Sequence, residues 1–180
     1  MRFVKAHWHG HGFYVDARAY LAELPRLRGA LPPGAWAFAS EPGHYDIPGA
    51  VRCVKDLELA GIRPATDKSG RLVLEFAPNR FKHDSGLRIT YSGVRHFSID
   101  HHRAIDWMRV DTVLLDEILP DDEILPDDEF LPDEDSDGNS DGNSDVDGAE
   151  AGGCVHEIAL TDASITVRCQ DLRAEWGSWS

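Results

Sequence analysis

The sequence predicts a mainly β domain: an antiparallel sandwich or open barrel of about seven or eight strands, with one short N-terminal helix and a disordered acidic insertion. Three observations lead there. Short segments of alternating apolar and polar residues, such as 72–76, 87–91, 154–160 and 165–169, are separated by Gly, Pro, Asn and Asp. Helical spacing occurs clearly in a single place, after Asp16. The charge is confined: of 32 Asp and Glu, 16 fall in residues 116–150, a stretch holding none of the 18 Lys and Arg. The net charge of -14 therefore belongs to one segment, and the rest of the 180 residues is close to neutral.

These features divide the chain into a flexible tract at 1–15, one domain built from 16–120 and 151–176, and a disordered insertion at 121–150. The first tract, MRFVKAHWHGHGFYV, carries His7, His9 and His11 in alternation. On extended backbone these point to one side, where imidazoles can converge on a metal. A helix follows, capped by Asp16, with Ala17, Tyr20, Leu21 and Leu24 on one face and Pro25 limiting it. Pro32-Pro33-Gly34 ends that region, and Trp36 and Phe38 suggest a short strand at 35–39. Residues 40–50, with two Pro and two Gly, read as a loop carrying Glu41, His44, Tyr45 and Asp46.

Residues 51–60 alternate, with Cys53, Leu57 and Leu59 on one side, and read as a half-buried strand ending at Gly61. Gly70–Ile99 is the expected sheet centre. Leu72, Leu74 and Phe76 form one strand face and Leu87, Ile89 and Tyr91 the next, with Ser92-Gly93 turning tightly into Val94–Ile99. Residues 110–119 supply a further strand. The segments CVHEIAL and SITVRC make a hairpin with Asp162 and Ala163 at its tip. That register sets His156 opposite Cys169, Ile158 opposite Val167 and Glu157 opposite Arg168, with His156 pointing inward.

The insertion contains DEILPD at 116–121 and 122–127, then DEFLPD at 128–133, then SDGN twice. Without basic residues it cannot bury enough apolar surface to order itself. Within it Asp133, Asp135, Asp137 and Asp141 resemble a calcium loop, although Ser144 stands where a bidentate Glu is needed. The Ile-Leu and Phe-Leu pairs set in acid also suit short docking motifs.

Two constellations elsewhere could carry chemistry. Cys154, His156 and Cys169 offer thiolate and imidazole ligands of the kind zinc favours, without zinc-finger spacing. The loop Asn79–Asp84, with Asn79, Lys82, His83 and Asp84, suits anion binding or acid–base work, joined by His44, Tyr45 and Asp46 from the earlier loop. In the acid–base reading His83, Asp84 and His44 are the catalytic candidates. No nucleophile elbow, phosphate-binding Gly loop, dinucleotide fingerprint or H-E-x-x-H is present.

The near-neutral body disfavours nucleic acid as a partner. No apolar run is long enough to span a membrane, and three Cys without a secretion signal indicate the cytoplasm. No cofactor is expected. The segments GAWAFASEPGHYD, RCVKDLEL, FAPNRFKHDSGLRITYSGV, DEILP and CVHEIAL resemble a group of small uncharacterised actinobacterial proteins. That resemblance implies no activity; it implies that DEILP and CVHEI are neighbouring strands. The function expected is a small protein-binding or accessory domain of the immunity type. The alternatives are a metal-dependent or acid–base enzyme and a weak calcium-binding module at 133–147.

Overall fold

The computed structural model describes residues 1–46, 48–101, 112–121 and 152–178. Among them are ten strands and two helices, and the mainly β, antiparallel expectation holds. The strands form open sheets, not a closed barrel. The insertion beyond Asp121, including Asp133, Asp135, Asp137 and Asp141, lies outside the described residues. No described helix is long and apolar enough to cross a membrane.

One four-stranded sheet contains β3 (Glu58–Pro64), β4 (Leu72–Ala77), β5 (Gly86–Ser92) and β10 (Asp171–Gly177), in the order β10-β5-β4-β3. The second contains β6 (His96–His101), β7 (Val113–Pro120), β8 (Cys154–Leu160) and β9 (Ala163–Cys169), in the order β6-β9-β8-β7. Leu72, Leu74 and Phe76 stand opposite Tyr91, Ile89 and Leu87, as the alternation requires. This face shares one apolar core with Ile118, Ile158, Ile165 and Val167 of the other sheet. The sheets join at one side, where Val113 donates its backbone N–H to Leu57 and Asp56 donates to Val113.

Several expectations are corrected. The segment 35–39 is not a strand but part of α2 (Pro33–Ala39). Pro33 occupies the first helical turn, where its missing N–H costs nothing, and the Ala residues favour helix. The Asp171 carboxylate accepts from the N–H groups of Gly34 and Ala35 at 3.1 and 2.9 Å, satisfying two orphan donors. A Cβ on Gly34 would lie 1.9 Å from the Leu172 carbonyl oxygen, so only Gly allows this approach. The other helix, α1 (Arg18–Leu27), runs two residues past Pro25, and Asp16 accepts from the Arg18 N–H.

The strand expected over 51–60 begins only at Glu58. Cys53, Val54 and Leu57 are buried, but in irregular chain broken at Asp56, whose φ is 73°. Asp tolerates that left-handed conformation better than most residues. Gly61 does not end the strand; it lies inside β3 at a register shift between Leu59 and Gly61. Ser92-Gly93 does not close a hairpin. Both edges of β5 are already taken by β4 and β10, so the chain crosses to the other sheet and β6 pairs with β9. The β8–β9 hairpin turns at Thr161-Asp162, one residue earlier than expected. His156 therefore faces Val167, Ile158 faces Ile165, and Glu157 faces Thr166 instead of Arg168. The slip moves each partner by two positions, so the inward face survives intact.

The 1–15 tract carries a hairpin, β1 (Lys5–Trp8) paired with β2 (Phe13–Asp16). Its base is held by Glu117 of β7, whose carboxylate accepts from the N–H groups of Arg2, Phe3 and Val4 at 2.7, 2.6 and 2.7 Å.

Candidate functional site

The main polar cluster of the core lies between the sheets and is organised by Asp116. In sequence Asp116 opens the first acidic hexapeptide; in the fold it sits on β7 opposite Ile158, 1% exposed. Its Oδ1 accepts from His44 Nε2 at 2.7 Å and its Oδ2 from His156 Nε2 at 3.0 Å. His44 Nδ1 donates to the Phe38 carbonyl at 3.0 Å, and the Tyr91 hydroxyl is hydrogen-bonded to His156 Nδ1 at 2.8 Å. Tyr45 O–H closes over the cluster by donating to the Asp116 carbonyl at 3.0 Å.

The proton count follows from these partners. The Phe38 carbonyl can only accept, so His44 Nδ1 carries a proton. A carboxylate can only accept, so His44 Nε2 carries one as well. His44 is then an imidazolium beside the Asp116 carboxylate, while His156 donates at Nε2 and meets the Tyr91 hydroxyl at Nδ1. Burial pushes the Asp116 carboxyl up, but the His44 charge and the hydrogen bonds from both imidazoles outweigh it and hold it below the usual carboxylate range. Burial first, then the Asp116 charge, pushes the Tyr45 phenol well above its ordinary value. All partners are satisfied and His44, His156, Asp116 and Tyr91 are buried, so the arrangement orients and neutralises groups within the core.

The remaining candidates are distributed around the fold. His83 is buried, with Nδ1 accepting from the Asn79 N–H at 3.1 Å and Nε2 donating to the Cys53 carbonyl at 2.9 Å. Burial lowers its pKa, which suits the neutral ring this pattern demands. With Nε2 acting as a donor, the Cys53 sulfur 4.0 Å away finds no base there. Asp84 is exposed and paired with Ser85 and Arg52. Lys82 reaches Asp56 at 3.4 Å, and Asp46 closes a local turn through the Gly49 N–H. The ring nitrogens of His44 and His83 are thus engaged by different partners, and the two loops are not drawn into one acid–base group. Phe81 of this loop is fully exposed.

Of the thiolate–imidazole set, the structure brings Cys154 and Cys169 together at 3.6 Å between sulfurs, while both nitrogens of His156 turn to Tyr91 and Asp116. Among the described residues, no group of three or more His, Cys, Asp or Glu is placed to hold a metal ion.

At the surface, the β1–β2 hairpin presents Trp8 at 63% and Tyr14 at 54% exposure. Trp8 packs edge-on to Phe13, and Tyr14 to His9. Ala6, Phe13 and Val15 pack against the core, so one face of the hairpin is anchored up to the turn while Trp8 and Tyr14 stay largely exposed. His7, His9 and His11 are all exposed.

No protein-family model matches this chain, and no curated protein matches it.

Sequence reasoning placed His44 and His156 among the candidates but missed Asp116, which unites them. The signal was present: in the expected β7–β8 pairing, Asp116 shares a strand face with Ile118, and a charged residue on an apolar face calls for a buried partner. The repeated hexapeptide concealed it by placing Asp116 with the acids of the insertion.

Proposed function

We propose that this protein is a small protein-binding module whose contact element is the tip of the β1–β2 hairpin. The observation that carries this reading is the exposure of Trp8 and Tyr14 on a hairpin whose base is clamped by Glu117. Large aromatic side chains left uncovered on a fixed element are the usual anchors of protein interfaces. The first fifteen residues hold Arg2, Lys5 and three His but no acid, so the complementary surface is acidic with an apolar recess for Trp8. The three free thiols fit a cytoplasmic setting.

The test is an affinity capture from the native host using wild-type protein, Trp8→Ala, Tyr14→Ala and a form lacking residues 122–148. A partner recovered by wild-type and by the deletion should bind Trp8→Ala about 30-fold more weakly, the loss expected of an anchor worth about 2 kcal/mol. Equal binding of wild-type and both aromatic variants, or loss of the partner only on deleting 122–148, would remove the hairpin from the interface. Recovery of no reproducible partner by any form would count against the binding function itself.

A further inference from the structure

We propose that Cys154 and Cys169 form a reversible disulfide, so that the β8–β9 hairpin acts as a dithiol–disulfide couple. The two residues face each other directly in the antiparallel register, and their sulfurs lie 3.6 Å apart. Directly opposed antiparallel residues have Cα atoms about 4.5 or 5.5 Å apart, inside the range that disulfides span. Closing the sulfurs to about 2.05 Å is therefore compatible with the two strands staying in this register. The approach is protected by Gly153, where a Cβ would sit 2.2 Å from the Cys169 carbonyl oxygen and 2.5 Å from an Arg95 nitrogen. The third thiol has a different setting: Cys53 Sγ lies 3.7 Å from the Lys55 carbonyl and 4.0 Å from His83 Nε2.

The oxidant is a low-molecular-weight disulfide such as oxidised glutathione. One protein thiol loses its proton and attacks a glutathione sulfur, forming a mixed disulfide and releasing one glutathione thiolate. The second thiol, deprotonated in turn, attacks the protein sulfur of that mixed disulfide and releases the second glutathione. The two protons pass to the departing thiolates, the protein loses two electrons and the small disulfide gains them. Both sulfurs are buried, and the hydrogen bond with Cys169, followed by burial, raises the Cys154 pKa. Thiolate formation consequently depends on brief opening of the strand end. Cys154 is the first residue of β8, two residues from the exposed Gly152, so local fraying of this strand end is the opening that exposes it. Pro120 of β7 pairs with Cys154, so the bond fixes the end of β8 at the point where the chain leaves for residue 122 and returns after 151.

The full-length chain, and its Cys53→Ser variant, are refolded and equilibrated in glutathione buffers from fully reduced to fully oxidised, then acid-quenched, weighed intact and peptide-mapped. The expected product is a species lighter by two hydrogens, with one 154–169 link and Cys53 still free in the wild type. Its thermal midpoint should rise by about 6–10 °C, because closing a loop of this length restricts the unfolded chain. Dithiothreitol should reverse both changes, and Cys169→Ser should abolish them. Free thiols throughout, glutathione adducts that do not resolve, or any link that uses Cys53 would each overturn the proposal.

Discussion

Replacing Asp116 with Ala removes the acceptor of two buried imidazole donors at once. Both rings are buried and meet the carboxylate at 2.7 and 3.0 Å, so its removal deprives two buried nitrogens of their charged acceptor. Breaking a buried charge pair by deleting one partner costs about 3–5 kcal/mol, a large share of the roughly 5–15 kcal/mol of a typical domain. At a urea slope of about 2 kcal/mol/M, the unfolding midpoint should fall by roughly 1.5–2.5 M. Asp116→Asn behaves differently. The amide oxygen accepts from His156 Nε2 while the amide nitrogen donates to a neutral His44, so both imidazoles keep a partner, only the second amide N–H is left over, and the loss is nearer 1–2 kcal/mol. Urea titrations at neutral pH, followed by tryptophan fluorescence and far-UV circular dichroism, separate the two variants. A loss below about 1 kcal/mol for Ala, or equal losses for Ala and Asn, would refute this proton count. The pH sign adds a control. The folded pKa of Asp116 lies below its ordinary value of 3.8, so its contribution is complete above that value and is lost as pH falls through and beneath it. The gap between wild type and Asp116→Asn should therefore narrow below about pH 4.

Two further outcomes are expected. Glu117→Gln keeps one acceptor oxygen for the three backbone donors of Arg2, Phe3 and Val4; it should cost about 1.5–3 kcal/mol, and amide exchange should accelerate selectively over residues 2–8. Unchanged protection there would discount the clamp. His83 is held neutral with a lowered pKa, so the unfolded chain binds more protons below about pH 6.5 and stability falls as pH drops through that value. His83→Gln should flatten this slope between about pH 6.5 and 5, and an unaltered slope would reassign it.

Period-two patterning carried most of the fold. The inward sets of β4, β5, β8 and β9 are those read from the residues, because a strand with one buried face tolerates no odd slip. What local pattern could not supply was the identity of each neighbour. Trp36 and Phe38 alternate like a strand, yet tertiary capping by Asp171, distant in sequence, makes their segment helical. Ser92-Gly93 has hairpin residues, but whether β5 has a free edge depends on β10 at the far end of the chain. His44 and His156 were legible as chemistry-bearing, whereas their joint partner was hidden within a repeat. Identical hexapeptides have identical local propensities, so nothing local distinguishes Asp116 from Asp122.

The Glu117 clamp has a consequence for the order of folding. Its backbone donors on Arg2, Phe3 and Val4 lie 115, 114 and 113 residues away along the chain. Tyr20 of α1 reaches Ile118 of the same strand across 98 residues, at 2.6 Å. Arg2, Phe3 and Val4 thus gain their anchor only once β7 has been made and seated beside β8. Contacts of such long range carry a heavy loop-closure cost and slow folding. The N-terminal hairpin should be among the last elements to dock, leaving Trp8 and Phe13 open to early capture by a chaperone or a binding partner while the sheets assemble behind them.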